Sequence, residues 1–227
     1  MRQLKIDKQN LIIRHSIREH ITDAQDSQRQ ELTKEGVVLA QQLGKQLALY
    51  SDGFSLFHSP ILRCKQTAVE IGNGILSCSK NVNKIEQMDL LVGFFVINWD
   101  YCAKLMNQQC FLNKWFADEI STEYIMPIKD AANTMLNNII NQQNNLTNIY
   151  VTHDFNIFSL RALHSKAFED VEYPDYLDGL IISNDMSYFE NIRCKDIIET
   201  QNLDVDTISG ATASSKAIIK AVENALQ

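Results

Sequence analysis

The sequence contains no apolar run approaching the roughly 20 residues that a membrane-spanning helix requires. It also lacks a dense Lys/Arg tract, and its 28 acidic side chains outnumber 21 basic ones, for a net charge of −7. Neither nucleic acid nor a membrane surface is therefore an expected partner. Cysteine is sparse: Cys64, Cys78, Cys102, Cys110 and Cys194 are scattered, odd in number and without a CxxC pair. That pattern fits reduced thiols rather than a disulfide framework or a zinc site, and no metal is expected. Met1 to Asn10 is polar and mixed in charge, unlike a signal peptide, so a cytoplasmic location is expected. No internal repeat is present. What remains is 45% hydrophobic and 22% charged over 227 residues, the composition of one globular domain or of one domain with an appendage.

Leu11-Ile12-Ile13 reads as a buried strand, and Arg14-His15-Ser16-Ile17-Arg18 follows it directly. Glu19 to Glu31 is a polar loop. Thr33 is placed to cap a helix in which Val37, Leu39, Ala40, Leu43, Leu47 and Ala48 recur at helical spacing, ending near Tyr50. Phe54 to Phe57 is a second strand, stopping in His58-Ser59-Pro60. Pro60 suits the first turn of a helix through Arg63, Gln66, Thr67 and Ile71, which Gly72-Asn73-Gly74 is expected to end. Lys84 to Val92 is a weaker strand candidate. Tyr101 to Trp115 and Pro127 to Ile140 carry helical patterns. Asn148 to Thr152 is a strand that stops in His153-Asp154, Phe155 to Phe168 reads as helix, and Leu177 to Cys194 reads as a hairpin around Asn184-Asp185. Strands alternating with helices predict an α/β three-layer sandwich with a mostly parallel central sheet flanked by helices.

Three strands thus end in reactive residues, which one cleft at one sheet edge would gather. The chemistry such a cluster suits is phosphoryl transfer. A phosphoester presents a charged electrophile and a poor leaving group, so catalysis needs charge neutralisation, an aligned nucleophile and an acid. Arg14, Arg18 and Arg63 are permanent cations whose planar forks match phosphate oxygens. His15 is a nucleophile that is neutral near pH 7. His20, His58 and His164 lack such company and read as surface or structural residues. Trp99 and Trp115 read as core or cap residues, and Phe94-Phe95 as core or as an apolar wall for a substrate.

The ordered motifs Leu-Ile-Ile-Arg14-His15-Ser16-Ile-Arg18, Leu32-Thr33-Lys-Glu-Gly36, Ser59-Pro60-Ile-Leu-Arg63-Cys-Lys-Gln66-Thr67-Ala68 and Val151-Thr152-His153-Asp154 resemble the histidine phosphatase superfamily, the group of phosphoglycerate mutases and histidine acid phosphatases. The match spans about residues 10–193. It implies a phosphoglycerate mutase-like fold and a phosphomonoester hydrolase that needs no cofactor for its chemistry. His15 would attack and become phosphohistidine, His153 would donate to a phosphate oxygen, and the substrate would be a small phosphorylated molecule. The proton donor implied by the acid-phosphatase branch is Asp154. The mutase branch uses a glutamate after the Arg63 helix, where Glu86 or Asp89 lies. Ser16 departs from the family's usual glycine, and its hydroxyl is expected to donate to phosphate. Ser59 has the same expected role, or caps the next helix. A phosphomutase is the alternative enzyme, and a non-catalytic phospho-ligand or flavin-associated protein the alternative class.

The character of the chain changes after Thr200, dividing it into residues 1–200 and a tail, 201–227. Asp206-Thr207-Ile208-Ser209-Gly210-Ala211-Thr212 resembles the end of FMN-binding domains, in which the final threonine receives FMN from a flavin transferase through a phosphoester bond. Carried over, Thr212 is the acceptor, Asp206 belongs to the recognition motif, and the transferase is a partner. Without that modification, residues 215–226 read as a plain amphipathic helix.

Overall fold

The computed structural model describes residues 5–20, 28–106, 110–140, 144–193 and 197. Its centre is a six-stranded sheet of β1 (Asn10–Arg14), β2 (Gly53–His58), β3 (Asn81–Gln87), β4 (Thr147–Thr152), β5 (Gly179–Ile182) and β6 (Phe189–Ile192), in the order β3-β2-β4-β1-β5-β6. The pairs β2/β3, β2/β4 and β1/β4 are parallel, and β5 and β6 run antiparallel on one edge. The chain is therefore an α/β sandwich with a mixed, mainly parallel sheet.

The central strands are buried along nearly their whole length because helices cover both faces. Successive side chains point to opposite sides. Leu11 and Ile13 of β1, Phe54 and Leu56 of β2, and Ile149 and Val151 of β4 join one core with α1 (Lys34–Leu47) and α2 (Leu62–Ser77). Ile12, Phe57 and Tyr150 join the opposite core with α5 (Ile128–Ile140) and α6 (Asp154–Ala162). A third cluster, centred on Phe95, Phe111, Trp115 and Phe158, packs α3 (Trp99–Met106) and α4 (Phe111–Phe116) over one end of α5 and α6. Trp115 is buried there as expected, whereas Trp99 lies exposed on the cap. Phe95 is buried with its ring centroid 4.8 Å from that of Trp115, so it is a core residue and not a substrate wall.

Several boundaries differ from the periodicity. Thr33 caps α1 as expected, its hydroxyl accepting from the Gly36 N–H at 2.9 Å. The segment through residues 101–115 is broken into α3 and α4, and α6 stops at Ala162. The strand expected over 84–92 is β3, with a 3-10 turn at Asp89–Leu91.

The largest difference is that Gly72-Asn73-Gly74 does not end α2, which continues to Ser77. A Cβ at Gly74 would lie 2.1 Å from the Gln41 carbonyl oxygen, and one at Gly44 would lie 2.1 Å from that of Ile71. These glycines let the α1 and α2 backbones touch, so packing overrides their helix-breaking tendency.

Gly74→Ala tests this. In an exposed helix the change stabilises by about 1 kcal/mol. Here overpacking should instead destabilise by about 1–3 kcal/mol, read as a lower urea midpoint. A higher midpoint would contradict the close helix contact.

Candidate active site

The parallel strands end together, and sheet-type hydrogen bonds run one residue past them. The His15 N–H donates to the Thr152 carbonyl at 2.9 Å, and the Ser59 N–H to that of Val151 at 3.0 Å. His15, Ser59 and His153 are thereby lined up where β1, β2 and β4 stop. From α2, Thr67 accepts the Ser16 N–H at 3.0 Å and donates to the Arg63 carbonyl at 2.8 Å, while the Gln66 side chain accepts the Leu32 N–H at 2.8 Å. The Arg63-x-x-Gln66-Thr67 face of α2 therefore pins the two loops beside the β1 motif. Below the site, the Thr152 hydroxyl donates to the Leu91 carbonyl at 2.7 Å, which anchors the turn after β3.

Arg63 joins the two histidines. Its Nε is 3.0 Å from His15 Nε2, and a terminal nitrogen is 3.2 Å from His153 Nδ1. A guanidinium can only donate, so both contacted ring nitrogens must be acceptors. His15 therefore carries its proton on Nδ1, which donates to the Ser16 carbonyl at 2.8 Å. His153 carries its proton on Nε2, which donates to the Ser59 hydroxyl at 2.9 Å. The His15 imidazole is buried and that of His153 half-buried, and their centroids are 5.6 Å apart. Burial first, then neighbouring Arg14, holds His15 well below the ordinary histidine range, while burial and Arg63 push His153 down to about 3. Each is thus a neutral base at physiological pH.

Arg14 closes the opposite wall. It forms a 3.0 Å ion pair with Asp154, donates to the Pro174 carbonyl at 2.7 Å and lies 4.4 Å from the Tyr176 ring centroid. Its buried Nε–H has no protein partner. Asp154 Oδ1 also accepts the Phe155 N–H at 3.0 Å, and the Tyr173 hydroxyl hydrogen-bonds the same carboxylate. Burial raises the Asp154 pKa, but the groups around it, Arg14 foremost and with the Tyr173 hydrogen bond among them, together outweigh it and hold the carboxyl well below its usual range. In this arrangement Asp154 is the ionised partner of Arg14.

The remaining candidates fall in three places. Ser59 stays in the cluster: its hydroxyl accepts from His153 and, at 3.3 Å, from the Ile61 N–H. Arg18 sits at the rim, partly exposed, donating to the Glu19 carbonyl at 2.9 Å. Ser16 is committed elsewhere, because its buried hydroxyl donates to the Gly36 carbonyl at 2.7 Å and has no second proton for phosphate. Glu86 is not brought to the cluster; it is exposed on β3 and paired with Lys84 at 2.7 Å. Asp89 is likewise exposed, accepting from Gln87. Asp206 and Thr212 lie outside the described residues.

Three residues of the site escaped the sequence. Tyr173 and Tyr176 come from the loop before β5, where only their spacing around Pro174-Asp175 hinted at a wall. Cys64 lies beneath His153, its Sγ 3.6 Å from Nε2, and burial pushes its thiol up to about 12, so it is not a nucleophile.

Solved structures share this fold. A mycobacterial glucosyl-3-phosphoglycerate phosphatase in complex with inorganic phosphate is 12% identical, with 82% of this chain and 96% of that one covered and a TM-score of 0.54. The phosphoserine phosphatase of Entamoeba histolytica is 15% identical as its phosphoserine complex, with 82% and 95% covered and a TM-score of 0.53. The chain shares the fold of these two phosphatases, in line with the fold that the sequence resemblance implied. No curated protein matches the sequence. A model of the FMN-binding domain matches residues 139–227. The described part of that stretch contains β4, α6, β5 and β6 of the sheet. Every residue of β4 and β5 is buried, so these strands offer no open face to a flavin ring.

The two histidines set a pH dependence. An unfolded histidine has a pKa near 6.5. The native pKa values lie lower, so as pH falls below about 6.5 the unfolded chain takes up protons that the native state refuses, and stability declines. The urea midpoint should drop between about pH 7.5 and about pH 4.5. His153→Gln should show a smaller drop over the same interval; an equal one would contradict a depressed pKa at His153.

Proposed function

We propose that this protein is a phosphatase that hydrolyses small phosphomonoesters through a phosphohistidine at His15. The observation that carries this reading is the Arg63 bridge, which leaves a lone pair on His15 Nε2 within a cluster of guanidinium donors. A phosphoryl group entering the cluster takes over the Arg63 donors and meets Arg14 Nε–H and the Arg18 side chain. Their charges offset the repulsion that shields phosphorus from a nucleophile. His15 Nε2 then forms a bond to phosphorus as the bond to the leaving oxygen breaks, and that oxygen departs with the electron pair and takes up a proton from water. Its Nδ1–H, held on the Ser16 carbonyl, stabilises the charge that develops on the ring. Ser59, whose oxygen already accepts from His153 and Ile61, turns its own proton toward a phosphate oxygen. Water next attacks phosphorus, the nitrogen–phosphorus bond breaks, and phosphate leaves with neutral His15 restored. The hard displacement is thus divided into two easier ones.

Residues 1–200 carry this reaction on our reading, and the unpaired state of Cys64, Cys78, Cys102 and Cys110 supports a cytoplasmic location. Among the described residues, no helix is long and apolar enough to cross a membrane. Turnover of a nitrophenyl phosphate by the full chain is the direct test. His15→Ala should reduce it by more than about a thousandfold, while circular dichroism stays native. Full activity in that variant would end the proposal.

The FMN-binding match supports a second property, carried by residues 201–227: attachment of FMN to Thr212 by a flavin transferase that reads Asp206 and the residues between. Co-expression with such a transferase should add the mass of one FMN moiety to the intact chain, and Thr212→Val should abolish the addition. An unmodified wild-type chain would exclude it.

A further inference from the structure

We propose that Arg161 is a positioning residue, which holds loop 172–178 against Arg14 and so sets the affinity of the site for a phosphate-like oxyanion. This rests on the phosphatase reading for Arg14 as a phosphate ligand and adds an arginine that acts through it. Arg161 is only 4% exposed, although arginine is among the residues least often fully buried. It follows Asp154 by seven residues on α6, so the two lie on one face of the helix about two turns apart. Its Nη1 donates to the Glu172 carbonyl at 2.9 Å. Burial disfavours its charge, and Asp178 foremost, then Glu172 and Asp175, oppose that cost. All three acids belong to loop 172–178. The last turn of α6 also favours a cation through the helix dipole.

That loop is the wall that fixes Arg14. The Tyr173 hydroxyl reaches Asp154, and the Pro174 carbonyl accepts from Arg14 Nη1 at 2.7 Å. The Tyr176 ring centroid lies 4.4 Å from the guanidinium carbon, and the Asp178 carbonyl accepts the Arg14 backbone N–H at 2.8 Å. Asp175 stands in the field of both arginines, and its N–H donates to the Asp178 carboxylate at 3.1 Å. The loop does not hold this shape unaided. Buried Leu177 stands at φ 58–61°, in the left-handed region that a bulky side chain avoids; its own value is 61°. Such a conformation persists where the surroundings over-determine it. One face of α6 supplies that constraint at two points, with Asp154 taking Tyr173 beside Arg14 and Arg161 taking Glu172 at the base.

The consequence falls on the anion. Arg14 Nε–H is buried without a protein partner, and its place is set by the Pro174 and Tyr176 contacts. Loss of the Arg161 cation frees the Glu172 carbonyl and leaves the buried Asp178 carboxylate without its foremost counter-charge on α6. An uncompensated buried carboxylate is drawn toward water. The loop that carries it then shifts away from Arg14, and the donors no longer converge on the oxyanion. Misplacing a binding group by about 1 Å is enough to cost up to about 10²-fold.

The test is equilibrium binding of tungstate, an oxyanion that mimics phosphate, to full-length wild type, Arg161→Gln, Arg14→Gln and the double variant, read by calorimetry. Arg161→Gln should raise the Kd about tenfold, the size of part of a charge-assisted contact at Arg14. Added to Arg14→Gln, it should change the Kd by less than about twofold, because the two residues act as one unit. Arg161→Lys keeps the charge facing Asp178 but not the planar fork, so its rise should be about threefold. It carries the same cycle if Arg161→Gln loses its native circular dichroism. A Kd unchanged in the folded Arg161 variants, or a rise of equal size with and without Arg14, would overturn the inference, as would a wild type that binds no tungstate. Tungstate binding without turnover of a nitrophenyl phosphate would instead overturn the phosphatase reading and leave Arg161 in its role.

Discussion

A single donor-only side chain sets the state of this site. Arg63 places one N–H on His15 Nε2 and another on His153 Nδ1. A guanidinium is charged at every accessible pH and accepts nothing, so neither imidazole can protonate at the nitrogen it contacts while the bridge holds. The Ser16 carbonyl and the Ser59 hydroxyl take the remaining ring protons. Both histidines are therefore fixed in tautomer and orientation before any substrate arrives. Such preorganisation converts a flexible base into an aimed nucleophile.

The rest of the architecture serves that bridge from two sides. Parallel strands must be joined by long crossovers, so their ends meet at one edge although they are far apart in sequence. His15, Ser59 and His153 each follow such a strand, and the backbone amides of His15 and Ser59 continue the ladder. Arg63 arrives from α2, whose closeness to α1 depends on the facing glycines Gly44 and Gly74. On the far wall Arg14 is held by Asp154, Pro174 and Tyr176. Pairing with Asp154 offsets the cost of desolvating the Arg14 guanidinium.

Much of this was legible from local signals. Apolar runs that stop in Arg14-His15, His58-Ser59 and His153-Asp154 announced strands buried on both faces and ending at a cleft. Thr33 announced the start of α1. Other features depend on what a residue touches rather than on what it is. Gly72-Asn73-Gly74 looks like a helix stop until α1 lies against it. Ser16 looks like a phosphate donor until the Gly36 carbonyl takes its proton. That Asp154 pairs with Arg14 and accepts from Phe155 and Tyr173 could not be read from the His153-Asp154 pair alone. The loop carrying Tyr173 and Tyr176 has no periodicity at all, so its part in the wall emerges only when the chain is folded.

The proposed attachment of FMN at Thr212 would add a different chemistry to the chain. The family match that supports it spans residues 139–227 and includes strands buried in the central sheet. Two phosphate chemistries would then share one chain, one acting on a phosphoester and one receiving it.

The central claim is that Arg63 keeps Nε2 of His15 unprotonated and that this nitrogen attacks phosphorus. The direct measurement is rapid quenching of the full-length protein with a labelled aryl phosphate under alkaline conditions, followed by peptide mapping and phosphorus–nitrogen NMR of the labelled residue. The account predicts one phosphoryl group, on Nε2 of His15. Label on Nδ1, on His153 or on no histidine would contradict it.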